Sequence, residues 1–472
     1  MDERIDILVI GAGPGGHAAA VQAARQGARA AIIEKGGWGG TCTHRGCIPT
    51  KALLACSGRF AELKKIRRMG VNVADASFDY AAMKRHQEQI VKISALGVQK
   101  SLQDAGVAMI AGEGRIVTPQ EVEWTTPDGV RKGLSAKDLI IAWGSEPTLP
   151  PGVHPSARIL TSDGVLSLPS IPRSILIVGG SVIGVEFATL FAELGVRVTL
   201  VEMLERLLPG EEPEASQLLT HELKKMGVAI HTGVRMEAIR DTGSGVELRI
   251  SPLDPPVVGV PTAANPRGAP PAGISPTAPL ELSAELALIS TGRKPSLRVE
   301  ELEALGIRHD RRGIIVDDHQ QTNIPGIHAI GDVTGGMMLA HRAMQQGKAL
   351  AGSLLGDPQF DYREEAVPAV VYSHPQIARV GLTEEEARRK GLAIEVRRSD
   401  FAQNIIARAQ LLGQGFVKLV FQGERLTGAT IAGDQAGELI APLSLAIASG
   451  LGRKELRNWI IPHPTLSELL GL

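Results

Sequence analysis

Two of the three cysteines in this 472-residue chain lie only five positions apart, in the segment GGTCTHRGCIPTKALLAC. Cys42 and Cys47 form the pair, and Cys56 follows in the same segment. A close pair in a chain with so few cysteines indicates redox catalysis or metal binding rather than a disulfide-stapled secreted scaffold. A zinc site would need two more soft ligands, so we expect no metal. We expect Cys56 to be a small buried side chain.

The spacing of the pair constrains the local backbone. We predict that the segment opens at the glycines and continues as a helix through Lys51 and Ala55. Residues five apart on a regular helix have Cα atoms roughly 8–9 Å apart, whereas a disulfide needs about 4.4–6.8 Å. The pair can therefore bond only if the first turn is distorted, and Gly46 and Pro49 are residues that loosen a turn. A distorted disulfide at a helix start is expected to be redox-active, since the helix N-terminus favours the thiolate.

Two further segments share one plan. DILVIGAGPGG (6–16) and SILIVGGSVIG (174–184) are apolar runs that end in glycine loops and lead into helices of small residues. In each case an acidic residue follows the first glycine of the loop by 23 positions, Glu34 after Gly11 and Glu202 after Gly179. This is the strand–glycine loop–helix–acid spacing of a dinucleotide site, repeated in one chain.

Each residue of the motif has a physical task. The first glycine makes the turn, the second admits a phosphate to the helix N-terminus, and the third lets helix and strand pack. The predicted residues are Gly11, Gly13, Gly16 and Glu34 in the first copy, and Gly179, Ser181, Gly184 and Glu202 in the second. The carboxylate of Glu202 would repel a 2′-phosphate, so we expect NAD rather than NADP. A degenerate, purely structural repeat is the alternative for the second copy.

Composition excludes other classes of function. Lys and Arg number 50 against 51 Asp and Glu, and aromatic residues make up only 3% of the chain. Nucleic-acid and membrane-surface binders need clustered positive charge, so we expect neither partner. The N-terminus MDERIDILVIG does not resemble a secretory signal, and no run of about 18 apolar residues predicts a spanning helix. We therefore expect a cytoplasmic protein.

The pattern predicts an α/β fold, with two Rossmann-like dinucleotide-binding domains and a C-terminal α+β domain with an antiparallel sheet. We expect a first nucleotide domain over 1–148 and a second over 149–285. A central domain would span 286–352 and complete the first site, and the C-terminal domain would span 353–472. The proline-rich stretch 251–279 is interpreted as a tolerated insertion, with a docking element as the alternative.

The motifs together resemble one family. GGTCTHRGCIPTK is similar to the redox-disulfide signature of the class I flavoprotein pyridine nucleotide-disulfide oxidoreductases, and TGRKP, GIHAIGDV, LAHRAM and HPTLSE appear in that family's order. The resemblance covers the chain except for the insertion. It implies FAD on the first unit, NAD on the second and a homodimer joined through the C-terminal domain. It favours oxidation of protein-bound dihydrolipoamide by NAD⁺, in 2-oxoacid dehydrogenase or glycine-cleavage complexes.

The resemblance also implies roles for single residues. Cys42 would be the thiol that meets substrate and Cys47 the charge-transfer thiol. His463 would be the base, oriented by Glu468, and both would act on the disulfide of the other subunit. Further expected residues are Lys51 near the flavin paired with Glu186, Asp332 with Gly331 and Ala340 at FAD, and Gly292 at NAD. Thr465 and Glu468 also match a capping box, which is the structural alternative for Glu468.

Three positions depart from the family pattern: Trp143 stands where a threonine is usual, Ile461 where a histidine is usual, and Gln376 where a glutamate is common. Because none of these replaces a thiol, the base or its partner, activity is expected to survive.

Two other functions stay open. One is an NAD(P)H-dependent reductase of the same family acting on another disulfide or a quinone, and the other is a flavoprotein retained as a binding or scaffold subunit.

Overall fold

The computed structural model describes residues 5–253 and 278–472. The described part divides into two compact units. The first comprises 5–52, 82–148 and 293–362, and the second comprises 53–81, 149–253, 278–292 and 363–472. The predicted insertion 251–279 lies almost wholly outside the described residues. No described helix combines the length and the apolar character needed to cross a membrane.

Up to residue 148 the chain alternates strands and helices and then forms an antiparallel ribbon. The elements are β1 (Ile5–Ile10), α1 (Pro14–Arg25), β2 (Ala30–Glu34), α2 (Gly40–Arg45), α3 (Cys47–Lys65), α4 (Tyr80–Asp104), β3 (Ala108–Ala111), β4 (Glu113–Thr118), β5 (Glu121–Thr125), β6 (Arg131–Ile141) and β7 (Ser145–Pro147). Strands β3, β2, β1 and β6 lie side by side in parallel. Strand β6 also pairs antiparallel with β5, which pairs with β4.

The second nucleotide motif repeats the parallel plan. Its elements are β8 (Ile159–Leu160), α5 (Ser162–Leu166), β9 (Ser174–Val178), α6 (Val182–Glu193), β10 (Arg197–Val201), α7 (Pro213–Lys225), β11 (Ala229–His231), β12 (Val234–Asp241), β13 (Val246–Pro252), β14 (Leu280–Ala284) and β15 (Leu286–Ile289). The parallel order is β11-β10-β9-β15-β8, and β12, β13 and β14 form an antiparallel sheet.

The chain then returns to the first unit. Its elements there are β16 (Arg293–Pro295), α8 (Val299–Ala304), β17 (His309–Asp310), β18 (Gly313–Ile314), β19 (Ile327–Ala329), a 3-10 turn at Gly331–Thr334 and α9 (Ala340–Leu354). Strand β19 adds to the first parallel sheet beside β6. Helix α9 packs closely on α1, because Gly15 and Gly347 leave no side chains between them: a Cβ at Gly347 would lie 2.5 Å from the Gly15 carbonyl oxygen.

The remaining residues form the α+β sheet that the alternating pattern predicts. The elements are β20 (Ala369–Val371), β21 (Ile377–Gly381), α10 (Glu384–Arg389), β22 (Glu395–Asp400), α11 (Ile405–Ala409), β23 (Phe416–Gln422), β24 (Arg425–Ala432), α12 (Ala436–Ala448), α13 (Arg453–Arg457) and a 3-10 turn at Leu466–Leu470. The antiparallel order is β20-β21-β24-β23-β22. Leu439, Ile440 and Leu443 of α12 join the buried core of this sheet.

One predicted boundary would cut a sheet. A division between residues 285 and 286 would separate β15 from β9, although the two strands pair from Leu286 with Ile175 to Ile289 with Val178. The chain leaves the second sheet only after Ile289. The other predicted domain limits stay predictions.

Candidate active site

The cysteine pair lies at a break between two helices. Helix α2 ends at Arg45, α3 begins at Cys47, and Gly46 between them has φ −140° and ψ −108°, which is not helical. Cys42 and Cys47 are both partly buried. The hydrogen bond between them raises the pKa of Cys42, burial raises it further, and the nearby charge of Lys51 opposes both effects. The break is thus the distortion that the spacing required.

The prediction that Cys56 is a buried side chain is wrong, because this residue lies further along α3 and is only partly buried. Burial raises the pKa of its thiol, so this cysteine is a poor nucleophile at neutral pH.

The first glycine loop has the geometry of a phosphate cradle. Gly11 has φ +109°, and a Cβ there would lie 2.3 Å from the Ala142 carbonyl oxygen. A Cβ at Gly16 would lie 1.9 Å from the Gly11 oxygen, whereas one at Gly13 would meet nothing within 4 Å. Gly13 therefore faces open space at the N-terminus of α1, and no side chain caps that terminus. Free helix N–H groups beside open space suit a pyrophosphate.

Glu34 is held in place by the same loop. Its carboxylate accepts hydrogen bonds from the backbone N–H of Ala12 at 2.7 Å and from that of Gly36 at 2.7 Å. The acid at the end of β2 is therefore oriented before any ligand arrives, as a ribose hydroxyl partner should be.

Helix α2, which carries Cys42 and which we call the redox helix, begins directly against the phosphate cradle. The N–H of Gly39 donates to the Ala12 carbonyl oxygen at 3.0 Å. Gly40 has φ +60°, and a Cβ there would lie 2.8 Å from Gly13 Cα. His44 Nε2 lies 3.1 Å from the Trp38 carbonyl oxygen, which ties α2 to the preceding turn. A ligand on the cradle would consequently lie beside the helix that carries Cys42.

Asp332 belongs to a polar network of the first unit. Ser145 Oγ donates to Asp332 Oδ2 at 2.6 Å, and Arg293 Nε donates to Ser145 Oγ at 2.8 Å. The N–H of Gly331 donates to Gln346 Oε1 at 2.9 Å. Sequence reasoning missed Ser145 and Gln346, because neither belongs to a spaced motif. The predicted Ala340 is the first residue of α9, shortly after this turn.

The second glycine loop repeats the geometry of the first. Gly179 has φ +111°, and a Cβ at Gly184 would lie 1.8 Å from the Gly179 oxygen. Ser181 is exposed at the N-terminus of α6, which no side chain caps. Glu202 accepts from the N–H groups of Gly180 at 2.6 Å and Leu204 at 2.8 Å. The arrangement fits a dinucleotide.

Two other predicted residues of the second unit have defined surroundings. Gly292 has φ +115°, which favours glycine, and a Cβ there would meet nothing within 4 Å. Glu186 is buried on α6 and accepts the N–H of Tyr372 at 3.0 Å. Its predicted pairing with Lys51 stays a prediction.

His463 and Glu468 are brought together near the C-terminus. His463 Nδ1 lies 3.2 Å from the Glu468 carboxylate, and 76% of the His463 side chain is exposed. The same carboxylate accepts the Thr465 N–H at 2.7 Å. This backbone hydrogen bond is the main cause that lowers the pKa of Glu468, and His463 adds to it. Glu468 therefore caps the turn and orients the imidazole at once, so the two interpretations of the sequence are compatible.

Two of the three departures from the family pattern make defined local contacts. The Arg298 guanidinium lies 4.8 Å from the centre of the Trp143 ring, an arrangement that favours a cation–π contact. Gln376 Oε1 accepts the N–H of Gly437 at 3.0 Å, so the amide supplies the acceptor that a glutamate would.

Comparison with known proteins assigns the family. Residues 5–347 match the family model described as pyridine nucleotide-disulphide oxidoreductase, and residues 367–471 match the dimerisation domain of the same family. This chain belongs to the pyridine nucleotide-disulphide oxidoreductases. The predicted family, its α/β fold and the cofactors FAD and NAD are thereby confirmed, and the dimerisation domain supports a homodimer.

Relatives match over nearly the full length. The dihydrolipoyl dehydrogenase of Chlorobaculum tepidum is 37% identical over 468 residues, covering 98% of this chain and 95% of the relative. That of Geobacillus stearothermophilus is 35% identical over 468 residues, covering 98% and 94%. Among solved structures, LpdA from Mycobacterium tuberculosis superposes with a TM-score of 0.87 at 26% identity, covering 99% of this chain and 98% of LpdA. The flavoprotein disulfide reductase RclA from Escherichia coli, solved as a Cu(II) complex, has a TM-score of 0.82 at 27% identity, covering 99% and 98%.

Proposed function

We propose that this member of the family is a dihydrolipoyl dehydrogenase, which oxidises protein-bound dihydrolipoamide to lipoamide with NAD⁺ as acceptor. The observation that carries the proposal is the pair of thiols in hydrogen-bond contact across the Gly46 break, in a chain that also holds a His463–Glu468 pair. A dithiol substrate needs a disulfide to exchange with and a base to remove its proton.

In this proposal Cys42 and Cys47 form the oxidised disulfide at the start of the cycle. A substrate thiol loses its proton to His463 of the partner subunit, and the thiolate attacks Cys42. The Cys42–Cys47 bond breaks, and Cys47 leaves as a thiolate. The second substrate thiol then attacks the substrate sulfur of the mixed disulfide and gives its proton to the leaving Cys42, so that the lipoyl disulfide forms and Cys42 is released as a thiol. Two electrons now reside on the cysteine pair.

FAD held by the first glycine loop would supply an acceptor for these two electrons, and NAD⁺ on the second loop would supply the final hydride acceptor. We assign FAD to Gly11, Gly13, Gly16 and Glu34, with Asp332, Gly331, Ala340 and Lys51, and NAD to Gly179, Ser181, Gly184, Glu202 and Gly292. The open space at Gly13 and the uncapped N-termini of α1 and α6 support this assignment.

Both the chemistry and the position of His463 suit a general base. An imidazole with a pKa near neutrality suits proton removal from a thiol, and the carboxylate on its Nδ1 selects the tautomer with a free Nε2. Because His463 is largely exposed in one copy of the chain, it is available to a second copy. We propose lipoyl domains of 2-oxoacid dehydrogenase or glycine-cleavage complexes as partners, and the reducing cytoplasm as the compartment, where Cys56 would stay a thiol.

The deciding assay compares purified enzyme with dihydrolipoamide and NAD⁺ against glutathione disulfide and NADPH. We expect turnover with the first pair only. His463→Gln should lower turnover by about 10²–10⁴-fold while FAD stays bound, since a positioned general base contributes about that factor. Near-normal turnover of this variant would remove His463 from the mechanism. Preference for glutathione disulfide or a quinone would favour the reductase alternative.

A second test separates the two thiols. Cys42→Ser leaves Cys47 without a disulfide partner, so oxidised variant protein should show the long-wavelength absorbance of a thiolate beside the flavin. Cys47→Ser should not show it. If the two spectra were exchanged or identical, the assigned roles would be wrong.

A further inference from the structure

The loop that follows Glu202 contains one cation close to the second glycine loop. We call residues 203–209 (MLERLLP) the discriminator loop; Arg206 is its only basic residue. Leu208 N–H donates to the Gly180 carbonyl oxygen at 2.9 Å, and Leu207 is fully buried against the same glycine. Arg206 therefore sits next to residues that touch the nucleotide loop.

Arg206 is turned towards the C-terminal sheet. One Nη donates to the Pro209 carbonyl oxygen at 3.0 Å and to Glu385 Oε2 at 2.7 Å. The ion pair is largely shielded, with side-chain exposures of 25% for Arg206 and 14% for Glu385. Arg206 Nε and Glu385 Oε1 are buried and make no hydrogen bond within the described residues. The pair thus uses only part of the guanidinium's hydrogen-bonding capacity.

Glu385 is held in position by its neighbours. Helix α10 begins in a capping box, in which Thr383 Oγ1 accepts the Glu386 N–H at 3.1 Å and Glu386 accepts the Thr383 N–H at 3.0 Å. The N–H of Glu384 donates to Glu212 at 3.0 Å. This hydrogen bond anchors the start of α10 to the residue that precedes α7. Glu385 cannot follow Arg206 if the arginine swings away.

We propose that Glu385 is a specificity-determining residue, which keeps Arg206 from serving as a ligand for a 2′-phosphate. An arginine close to the acid of a dinucleotide motif is the usual device for accepting NADP. Here the acid, Glu202, repels the phosphate, and Glu385 holds the basic residue of the discriminator loop, which would otherwise compensate. The inference rests on the proposed NAD site and adds a second layer of discrimination to it.

The test is the ratio of kcat/KM for NADP⁺ to that for NAD⁺, together with direct titration of 2′,5′-ADP and 5′-ADP into the FAD-loaded enzyme. Glu385→Ala should raise the NADP⁺/NAD⁺ ratio at least about tenfold, and tighten 2′,5′-ADP relative to 5′-ADP by a similar factor, as expected for one gained hydrogen bond to a charged group. Glu385→Gln, which keeps an acceptor without charge, should give a smaller rise.

Matched variants decide whether Arg206 causes the expected rise in the NADP⁺/NAD⁺ ratio. Arg206→Met combined with Glu385→Ala should lose the gain, so that the double-mutant cycle is strongly non-additive. Glu424→Gln removes one charge from an exposed residue of the same unit and should leave the ratio unchanged. A gain that persists without Arg206, or an unchanged ratio in Glu385→Ala with an unaltered circular dichroism spectrum, would overturn the inference. Failure of the proposed function would appear differently, as wild-type enzyme that does not oxidise dihydrolipoamide while its nucleotide titrations remain measurable.

Discussion

The two glycine-rich motifs of this chain share a backbone geometry and differ in what lies over them. In both, an acid 23 residues beyond the first glycine accepts two backbone N–H groups. In both, a Cβ on the third glycine would lie less than about 2 Å from the carbonyl oxygen of the first. The first loop is covered by the redox helix, whose Gly40 packs on Gly13. The second is flanked by the discriminator loop and leaves Ser181 exposed. One fold motif can thus serve a resident cofactor and an exchanging one.

The helices of the two motifs are also anchored by different physics. Helix α1 packs on α9 through Gly15 and Gly347, which is contact between backbones. Helix α6 ends at Glu193, whose carboxylate accepts Ser57 Oγ at 2.6 Å and bonds the His374 imidazole. Further along the chain, Lys418 forms ion pairs with Glu212 and Glu214 at the start of α7. The anchoring of α6 is therefore expected to depend on charge and pH.

The largest effect should come from Lys418, whose side chain is only 3% exposed. Its ammonium donates to Glu212, Glu214 and Glu384 at 2.8–2.9 Å. Burial lowers the pKa of Lys418, but the three carboxylates outweigh it and raise the pKa. Lys418→Met should destabilise the protein by about 3 kcal/mol, since it leaves the buried carboxylate of Glu212 without its cation.

The urea midpoint of the unfolding transition measures this loss. Lys225→Met is the matched control, because Lys225 pairs with Glu222 on an exposed surface and such pairs contribute about 0–1 kcal/mol. FAD should remain bound in folded Lys418→Met, whereas NAD⁺ binding weakens. Equal losses for the two lysine variants would contradict the anchoring of the second motif by charge.

Substitution of the third glycine in each loop tests whether the two cofactor sites are independent. Gly16→Ala and Gly184→Ala would each place a Cβ within 2 Å of a carbonyl oxygen, at 1.9 and 1.8 Å. Overpacking costs typically about 1–3 kcal/mol, or roughly 10–100-fold in affinity. Gly16→Ala should lose FAD on gel filtration, while Gly184→Ala should stay yellow and show a raised KM for NAD⁺. Loss of FAD from Gly184→Ala would mean that the two loops are not independent.

The acids should behave in parallel, with smaller effects. In Glu34→Gln and Glu202→Gln an amide replaces a carboxylate that accepts two N–H groups, and an amide oxygen can replace only one of those acceptors. An unsatisfied group of this kind costs about 1–3 kcal/mol. We expect Glu34→Gln to weaken FAD retention and Glu202→Gln to raise the KM for NAD⁺, both measured beside wild type. An effect of Glu202→Gln on FAD alone would reverse the assignment of cofactors.

The smallest effect is a pH dependence of the second motif. Burial lowers the pKa of His374, but Glu193 and Asp434 outweigh burial and Lys65, so that the pKa is raised above 6.5. Because the folded-state pKa is raised, the stabilisation is complete below pH 6.5 and is lost as the pH rises through the folded-state value. The midpoint of thermal unfolding should fall slightly more with rising pH in wild type than in His374→Gln. Identical pH profiles would contradict the hypothesis that the ion pair between His374 and Glu193 anchors α6.

Much of the site follows from local patterns in the sequence. A strand, a glycine turn and a helix of small residues can be predicted because each depends on neighbours within one or two turns, and the acid at 23 residues follows from the length of that unit. The cysteine spacing likewise required a broken helix, and the structure places the break at Gly46. The His463–Glu468 pair lies within one turn and is visible in HPTLSE.

Tertiary structure alone decided which distant charges meet. Arg206 pairs with Glu385, and Lys418 with Glu212, across separations of 179 and 206 residues, and no spacing rule reaches that far. The addition of β19 to a sheet begun at Ile5 is equally non-local. Such contacts depend on how folded elements pack, because a buried charge must find a partner wherever packing supplies one. The sequence by itself determined the chemistry and its cofactors; packing determined what holds the second nucleotide loop in place.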